Sequence, residues 1–214
     1  MATKLGVINE ALGLISEREL AAAELSGGTE ESARVMASAW PDAVDYCLSL
    51  AAWRFASRLT QLAADGAIDG TEELYAAPGF TRAYPAPSDH LRTNWVRDTP
   101  EPLSMPVTFH YQDGYWHTNT AALFINYVSH AYRAPETWPP MFAKVVAGYL
   151  AWNKGPRIRP AADTNELRIA FEMILDKAKT TDASETPFSW HAPGRLVRSR
   201  QGGGRGPQSN SWVP

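Results

Sequence analysis

Cysteine is almost missing from this sequence. A lone Cys47 among 214 residues excludes an internal disulfide and a cysteine-based zinc cluster. It falls on the apolar side of a helical pattern, where a thiol acts as a small buried hydrophobe rather than a nucleophile. Long apolar runs are missing too, and no stretch approaches the roughly 18 residues a membrane span needs. Met1-Ala2-Thr3-Lys4 runs straight into a helical pattern without a charged-then-apolar leader, so the expected product is soluble and made in the cytoplasm. No glycine loop cradles a phosphate, because Gly202-Gly203-Gly204 has neither a strand before it nor a helix after it. His-Glu-x-x-His and Gly-x-Ser-x-Gly are absent. The adjacent carboxylates Glu30-Glu31 and Glu72-Glu73 suit a helix start and a loop, and neither pair has the separation across a cleft that acid–base chemistry uses. One sign of charge is missing from the end of the chain. Residues 186–214 hold four arginines and no acid, whereas residues 1–66 hold five Lys/Arg against nine Asp/Glu and residues 67–185 eleven against fourteen. The body is acidic and the last segment basic, which argues against a body that grips duplex nucleic acid.

What is present is mostly helical. In residues 29–62 apolar side chains recur at Trp40, Val44, Cys47, Leu48, Ala51, Phe55 and Leu59, the three-and-four spacing of one helix face. Gly27-Gly28 breaks the chain before it, Thr29 is the expected N-cap, and Pro41 is expected to kink or split the helix. A narrower stripe at Leu5, Ile8, Leu12 and Ile15 precedes it, and residues 19–26 are alanine-rich and either helical or looped. Helical spacing returns after residue 137, with Thr137 as cap, Pro139 and Pro140 in the first turn, Phe142, Val145, Val146, Tyr149 and Leu150 as the stripe, and Gly155-Pro156 as the stop. Asp163 or Thr164 caps one more helix, with Leu167, Ala170, Phe171, Ile174 and Ala178 as its face.

Between these helical parts prolines enter and the helical period disappears. Residues 80–84, 90–97, 106–112, 115–119 and 122–129 read as short strands. Asp113-Gly114 between two alternating aromatic runs is a hairpin signal that pairs Gln112 with Tyr115, Tyr111 with Trp116 and His110 with His117, and puts Phe109, Tyr111 and Trp116 on the inner face. The expected fold class is α+β, mainly α: a four-helix bundle with an inserted small antiparallel β-sheet and an extended C-terminal arm. Its expected parts are a helical body over residues 1–62 and 137–180, a β insertion over 63–136 and a basic arm over 181–214.

Two constellations bear on chemistry. His110 and His117 would hold a metal if His90 or Asp89 joined them, which makes a metal-dependent enzyme one reading. Two ligands are too few by themselves, and an aromatic sheet face is the simpler account. The basic C-terminal segment lacks a stripe long enough to fold alone, yet Phe188, Trp190, Leu196 and Trp212 are too apolar for a plain solubilising tail. With Arg195, Arg198, Arg200 and Arg205 it reads as single-strand nucleic-acid binding, as plain disorder, or as an arm that docks on an acidic protein surface. The last uses both the charge and the aromatic anchors and is the reading preferred.

The order of segments resembles the head–tail adaptor proteins of tailed phages, the tail tubular protein A group, and the adaptors of gene transfer agents. The resemblance rests on three runs and covers roughly residues 5–178. One is Trp40, Ala43, Leu48, Trp53, Phe55 and Ala56 after an Asn-x-x-Leu-x-x-Ile helix. The second is Tyr84, Pro87, Asp89, Leu91 and Arg92. The third, over 125–151, includes Ile125, Tyr127, Pro135-Glu136, Trp138-Pro139-Pro140, Phe142 and Tyr149-Leu150-Ala151. The resemblance implies a structural protein of the virion neck, assembled in the host cytoplasm, with no enzymatic activity, no cofactor and no membrane contact. Its implied partners are further copies of itself in a ring, commonly dodecameric, the portal protein, and a downstream tail or nozzle protein. DNA passes through the lumen unread. The helices would form the ring body, the sheet part would face the next tail component, and the C-terminal segment would be the docking arm.

Overall fold

The computed structural model describes residues 1–63, 79–101 and 106–185. Helix α1 (Lys4–Leu14) starts where the Thr3 side chain accepts from the Gly6 amide, and it buries Val7, Ile8, Ala11 and Leu12. A short α2 (Ala22–Gly27) leads to α3 (Glu31–Ser49). The chain then forms β1 (Ser57–Leu62), β2 (Arg82–Pro85), β3 (His90–Arg97), β4 (His110–Gln112), β5 (Tyr115–Thr118) and β6 (Leu123–Ser129). Two 3-10 turns follow, and then α4 (Pro140–Ile158) and α5 (Thr164–Ser184).

The expected four-helix bundle with one small sheet is overturned. The described residues hold five α-helices and two three-stranded antiparallel sheets, ordered β1-β6-β3 and β2-β5-β4. The largest difference is the length of the central helix, which ends at Ser49 instead of running to residue 62. Trp53 folds back so that its indole Nε1 donates to the Cys47 carbonyl at 2.8 Å, occupying an acceptor that a continuing helix would use. Six residues of β1 then pair with β6 from Ser57↔Val128 to Leu62↔Leu123. Leu59, which fitted the helical spacing, is half exposed on the open face of this strand. Sheet pairing wins over local period here, as it does for any short ambiguous run.

Smaller differences have local causes. Helix α3 runs unbroken through Pro41, and its N-cap position is Glu30 rather than Thr29. Thr137 donates to Ala134 in a 3-10 turn, leaving Pro139 at the cap position of α4. Gly155-Pro156 does not stop α4; the donor that proline lacks falls in the last turn, and Arg159 ties that end to the Ile15 and Ser16 carbonyls. Asp163 is the cap of α5, accepting from the Asn165 and Glu166 amides. The hairpin has the expected register, with Asp113 and Gly114 both at positive φ as a two-residue primed turn requires. Its inner face is smaller than expected, because Trp116 is buried while Tyr111 (42%) and Phe109 (39%) stay exposed.

Helices α1 and α3 pack on α4. The main core joins them to the sheet through Val128 of β6, Trp53 and Ala56. Here five rings interlock: Trp40 stacks on Trp138 at 5.7 Å, Phe142 meets Trp53 and Trp138 edge-on at 5.1 and 5.0 Å, and Phe55 lies 4.9 Å from Phe142. Such pairs contribute about 0.5–1.5 kcal/mol each beyond the burial of their area. A second core fills the space between the sheets, where Tyr84 and Trp116 meet Val96, Leu123, Ile125 and Tyr127. Helices and sheets together make one compact unit that ends at Ala183.

Helix α5 lies against α4 at two glycines. A methyl on Gly148 would sit 3.6 Å from Phe171 and Ile174, in ordinary contact, so Gly148→Ala should stabilise by about 0.5–1 kcal/mol through helix propensity. A methyl on Gly155 would sit 2.8 Å from Ile15 Cγ2 and 3.3 Å from Leu167, forcing a shift that costs about 1–3 kcal/mol. Urea midpoints of the two variants should therefore move in opposite directions, Gly148→Ala up and Gly155→Ala down.

Candidate functional site

The hairpin sorts the histidines by face. Tyr111 pairs with Trp116 and His110 with His117, so the two pairs point to opposite sides of the β2-β5-β4 sheet. The His90 ring lies against Tyr111, Trp116 and Tyr127 at 5.4, 4.9 and 5.7 Å, and so belongs to the Trp116 side. The rings of His110 and His117 are 6.4 Å apart on the other side, one exposed and one buried. The proposed third ligand is thus across the sheet from the other two, and among the described residues no group of three or more His, Cys, Asp or Glu is placed to share a metal ion. His90 has a different task. Its Nε2 is 2.9 Å from Thr93 Oγ1, and burial pushes its pKa down against the opposing pull of Asp89.

Asp89 is a junction rather than a ligand. Its carboxylate accepts from Arg58 Nη1 (2.7 Å) on β1, and from Tyr127 Oη (2.9 Å) and Ser129 Oγ (2.5 Å) on β6. Its backbone carbonyl accepts from the His130 amide. Beside it, Arg92 Nη1 donates to the Ser49 carbonyl at the end of α3 (2.9 Å). One short stretch therefore fastens β1, β6 and α3 together. Sequence reading gave Asp89 as a possible metal ligand and as part of the second run of the resemblance; an Asp two residues after a proline at a strand start was the available signal for a local cap.

The other candidate residues separate. Cys47 is fully buried, and burial pushes its thiol far above the ordinary range, which makes it an inert core group. Glu30 accepts from Arg18, which also bridges to Glu24. Glu31 lies 3.6 Å from Arg157, both side chains mostly exposed, a weak pair. Glu72 and Glu73, and the arm residues Phe188, Trp190, Arg195, Leu196, Arg198, Arg200, Arg205 and Trp212, lie outside the described residues.

Two concave surfaces were not foreseen. One, about 440 Å³, lies on the open face of the β1-β6-β3 sheet between Leu59, Trp95 and Asn126, where the Asn94 amide donates to Asn126 Oδ1 at 2.7 Å and Ser57 Oγ at 3.1 Å. The other, about 320 Å³, lies between α3 and α4. Arg34, Lys154 and Arg157 stand around a floor of Val35 and Ala39, with Asp42 at one side. Its parts are some 120 residues apart in the chain, and no local pattern joins them.

Desolvation raises the pKa of Asp89, but the hydrogen bonds from Ser129, Arg58 and Tyr127 outweigh it and hold the carboxyl at about 2. A carboxylate held below its unfolded value near 3.9 stabilises the fold above that pH and loses the contribution as pH falls through the folded value. The side chain is only 20% exposed, so the contribution is about 2 kcal/mol at neutral pH. Asp89→Asn should lower unfolding stability by about that amount at pH 7, and its deficit against the wild type should close between pH 4 and pH 2, read from denaturant midpoints across that range.

Compared with known proteins, the chain matches no protein-family model, and no curated protein matches it either.

Proposed function

We propose that this protein is a structural head–tail adaptor of a tailed phage or phage-like particle, a ring component between portal and tail through which DNA passes. The observation that carries the reading is that the three motif runs, spread over more than a hundred residues, touch one another. Trp40 of the first stacks on Trp138 of the third, and Trp53 and Phe55 of the first pack on Phe142 of the third. Asp89 of the second accepts from Tyr127 of the third, and Arg92 of the second donates to the end of α3, the helix that holds Trp40, Ala43 and Leu48 of the first. The three runs thus build one joint, and a joint of this kind suits a scaffold whose shape is fixed from within.

Such a scaffold works by presenting surfaces to other chains. The basic segment 186–214 is the proposed docking arm, with Phe188, Trp190 and Trp212 as anchors and its arginines facing acidic protein. The test mixes purified protein with capsids that carry a portal but no tail, followed by sedimentation and imaging of the neck. A ring at the portal vertex is the expected result; protein that stays in the supernatant at every concentration would refute the reading. A chain lacking residues 186–214 should keep the circular dichroism and melting of the body and lose capsid attachment, and retained attachment would remove the arm from the account.

A further inference from the structure

Two surfaces of the helical body complement each other in shape of charge and in polarity. The first is the α3–α4 cleft, apolar at the floor through Val35 and Ala39 and cationic at the walls through Arg34, Lys154 and Arg157. Among the described residues, Arg34 and Lys154 make no ion pair, and Arg157 has only its loose 3.6 Å contact with Glu31. The second is the outward face of α5. Its buried face is Leu167, Phe171, Leu175 and Ala178. On the opposite face stand Ile169 and Met173, 50% and 69% exposed and one turn apart, an apolar pair with no partner in the helix's own packing. Glu166, Glu172 and Asp176 flank them, Glu172 in an exposed i,i+4 pair with Arg168 (2.6 Å), with Lys177 at the edge.

We propose that copies of this chain join by laying the outward face of α5 of one copy into the α3–α4 cleft of the next, an inference that rests on the adaptor reading for its setting and adds the identity of the joining surfaces. Ile169 and Met173 cover Val35 and Ala39. The acids of α5 meet the three cations of the cleft, and Lys177 meets Asp42. A nucleic-acid backbone fits the cleft less well, because it offers no apolar group to the floor and would face Asp42 with like charge.

The position of the two surfaces gives the contact a direction. Gly148, Trp152 and Gly155 of α4 face α5, with Trp152 stacked on Phe171 at 5.5 Å. At about 100° per residue, Lys154 and Arg157 lie on the far side of α4 from those three. Cleft and stripe thus look away from each other. A contact between two different patches on opposite sides cannot close on a pair; it propagates from copy to copy and closes only as a ring, or continues as a filament.

The test uses two thiols. Cys47 is buried, so Ser38→Cys at the cleft and Met173→Cys on α5 supply the reactive pair. With a short bismaleimide, the chain carrying both substitutions should give a ladder of dimers, trimers and higher species. A mixture of the two single variants should stop at dimers, and each single variant alone should stay uncrosslinked. Arg34→Glu with Arg157→Glu should cut the ladder by about tenfold, and adding Glu172→Lys with Asp176→Lys should restore it. Dimers from one single variant alone, a ladder indifferent to the charge reversals, or no ladder at any concentration would each overturn the interface. If no ladder forms in protein seated at the portal vertex, the interface falls and the adaptor reading stands. If a ladder forms in protein that ignores portal-bearing capsids, the interface stands and the adaptor reading falls.

Discussion

The molecule depends on the packing of five aromatic rings where α3, α4 and the start of β1 meet. Trp40 and Trp138 stack, and Phe142 is enclosed by Trp138, Trp53 and Phe55. These residues come from two separate stretches of the chain, so the stack closes a loop of about a hundred residues, a step that only a large burial can offset. It also decides where the helix stops. Trp53 reaches this position only by turning back onto the Cys47 carbonyl, and that turn ends α3 and sends the next residues into β1. One side chain thereby sets a helix end, fills a core and starts a sheet.

The second fastening is polar and stands at the edge of the same joint. Asp89 collects three donors from β1 and β6, and Arg92, three residues on, reaches the end of α3. Apolar packing alone would let the sheet slide over the helices, because dispersion contacts are tolerant of direction. Charge-assisted hydrogen bonds fix orientation instead. The two fastenings therefore divide the work: rings supply the affinity between helices and sheet, and the Asp89–Arg92 pair supplies the register.

Legibility in the sequence followed the range of the interactions. The hairpin was readable to the residue because Asp113-Gly114 dictates its own turn and the turn dictates the pairing. β3 was readable as a strand because helical spacing disappears among the prolines on either side of it. The end of α3 was not, since residues 50–62 carry apolar side chains at helical spacing and the competing partner, β6, lies sixty residues away. The apolar His90 niche was hidden for a similar reason: its neighbours Tyr111, Trp116 and Tyr127 come from three strands. The α3–α4 cleft was invisible in principle, as no local pattern relates Arg34 to Lys154. The outward face of α5 was half visible, for Ile169 and Met173 stand off the stripe that Leu167, Phe171 and Ala178 define.

That half-visible face returns to the packing. Gly148 and Gly155 let α5 approach α4 closely, and Phe171 fills the space by stacking on Trp152 and meeting Tyr149 at 5.7 Å. Once the buried side of a helix is pinned at two levels, its rotation about its own axis is fixed, and so is the direction of everything on the other side. Ile169 and Met173 point outward because Phe171 points in. The same helix α4 carries Lys154 and Arg157 on its far side, so a single rigid element sets the angle between the two complementary surfaces. On the proposed ring reading that angle must stay constant from copy to copy, and a core of stacked rings and glycine contacts deforms less than a hinge or a loop would.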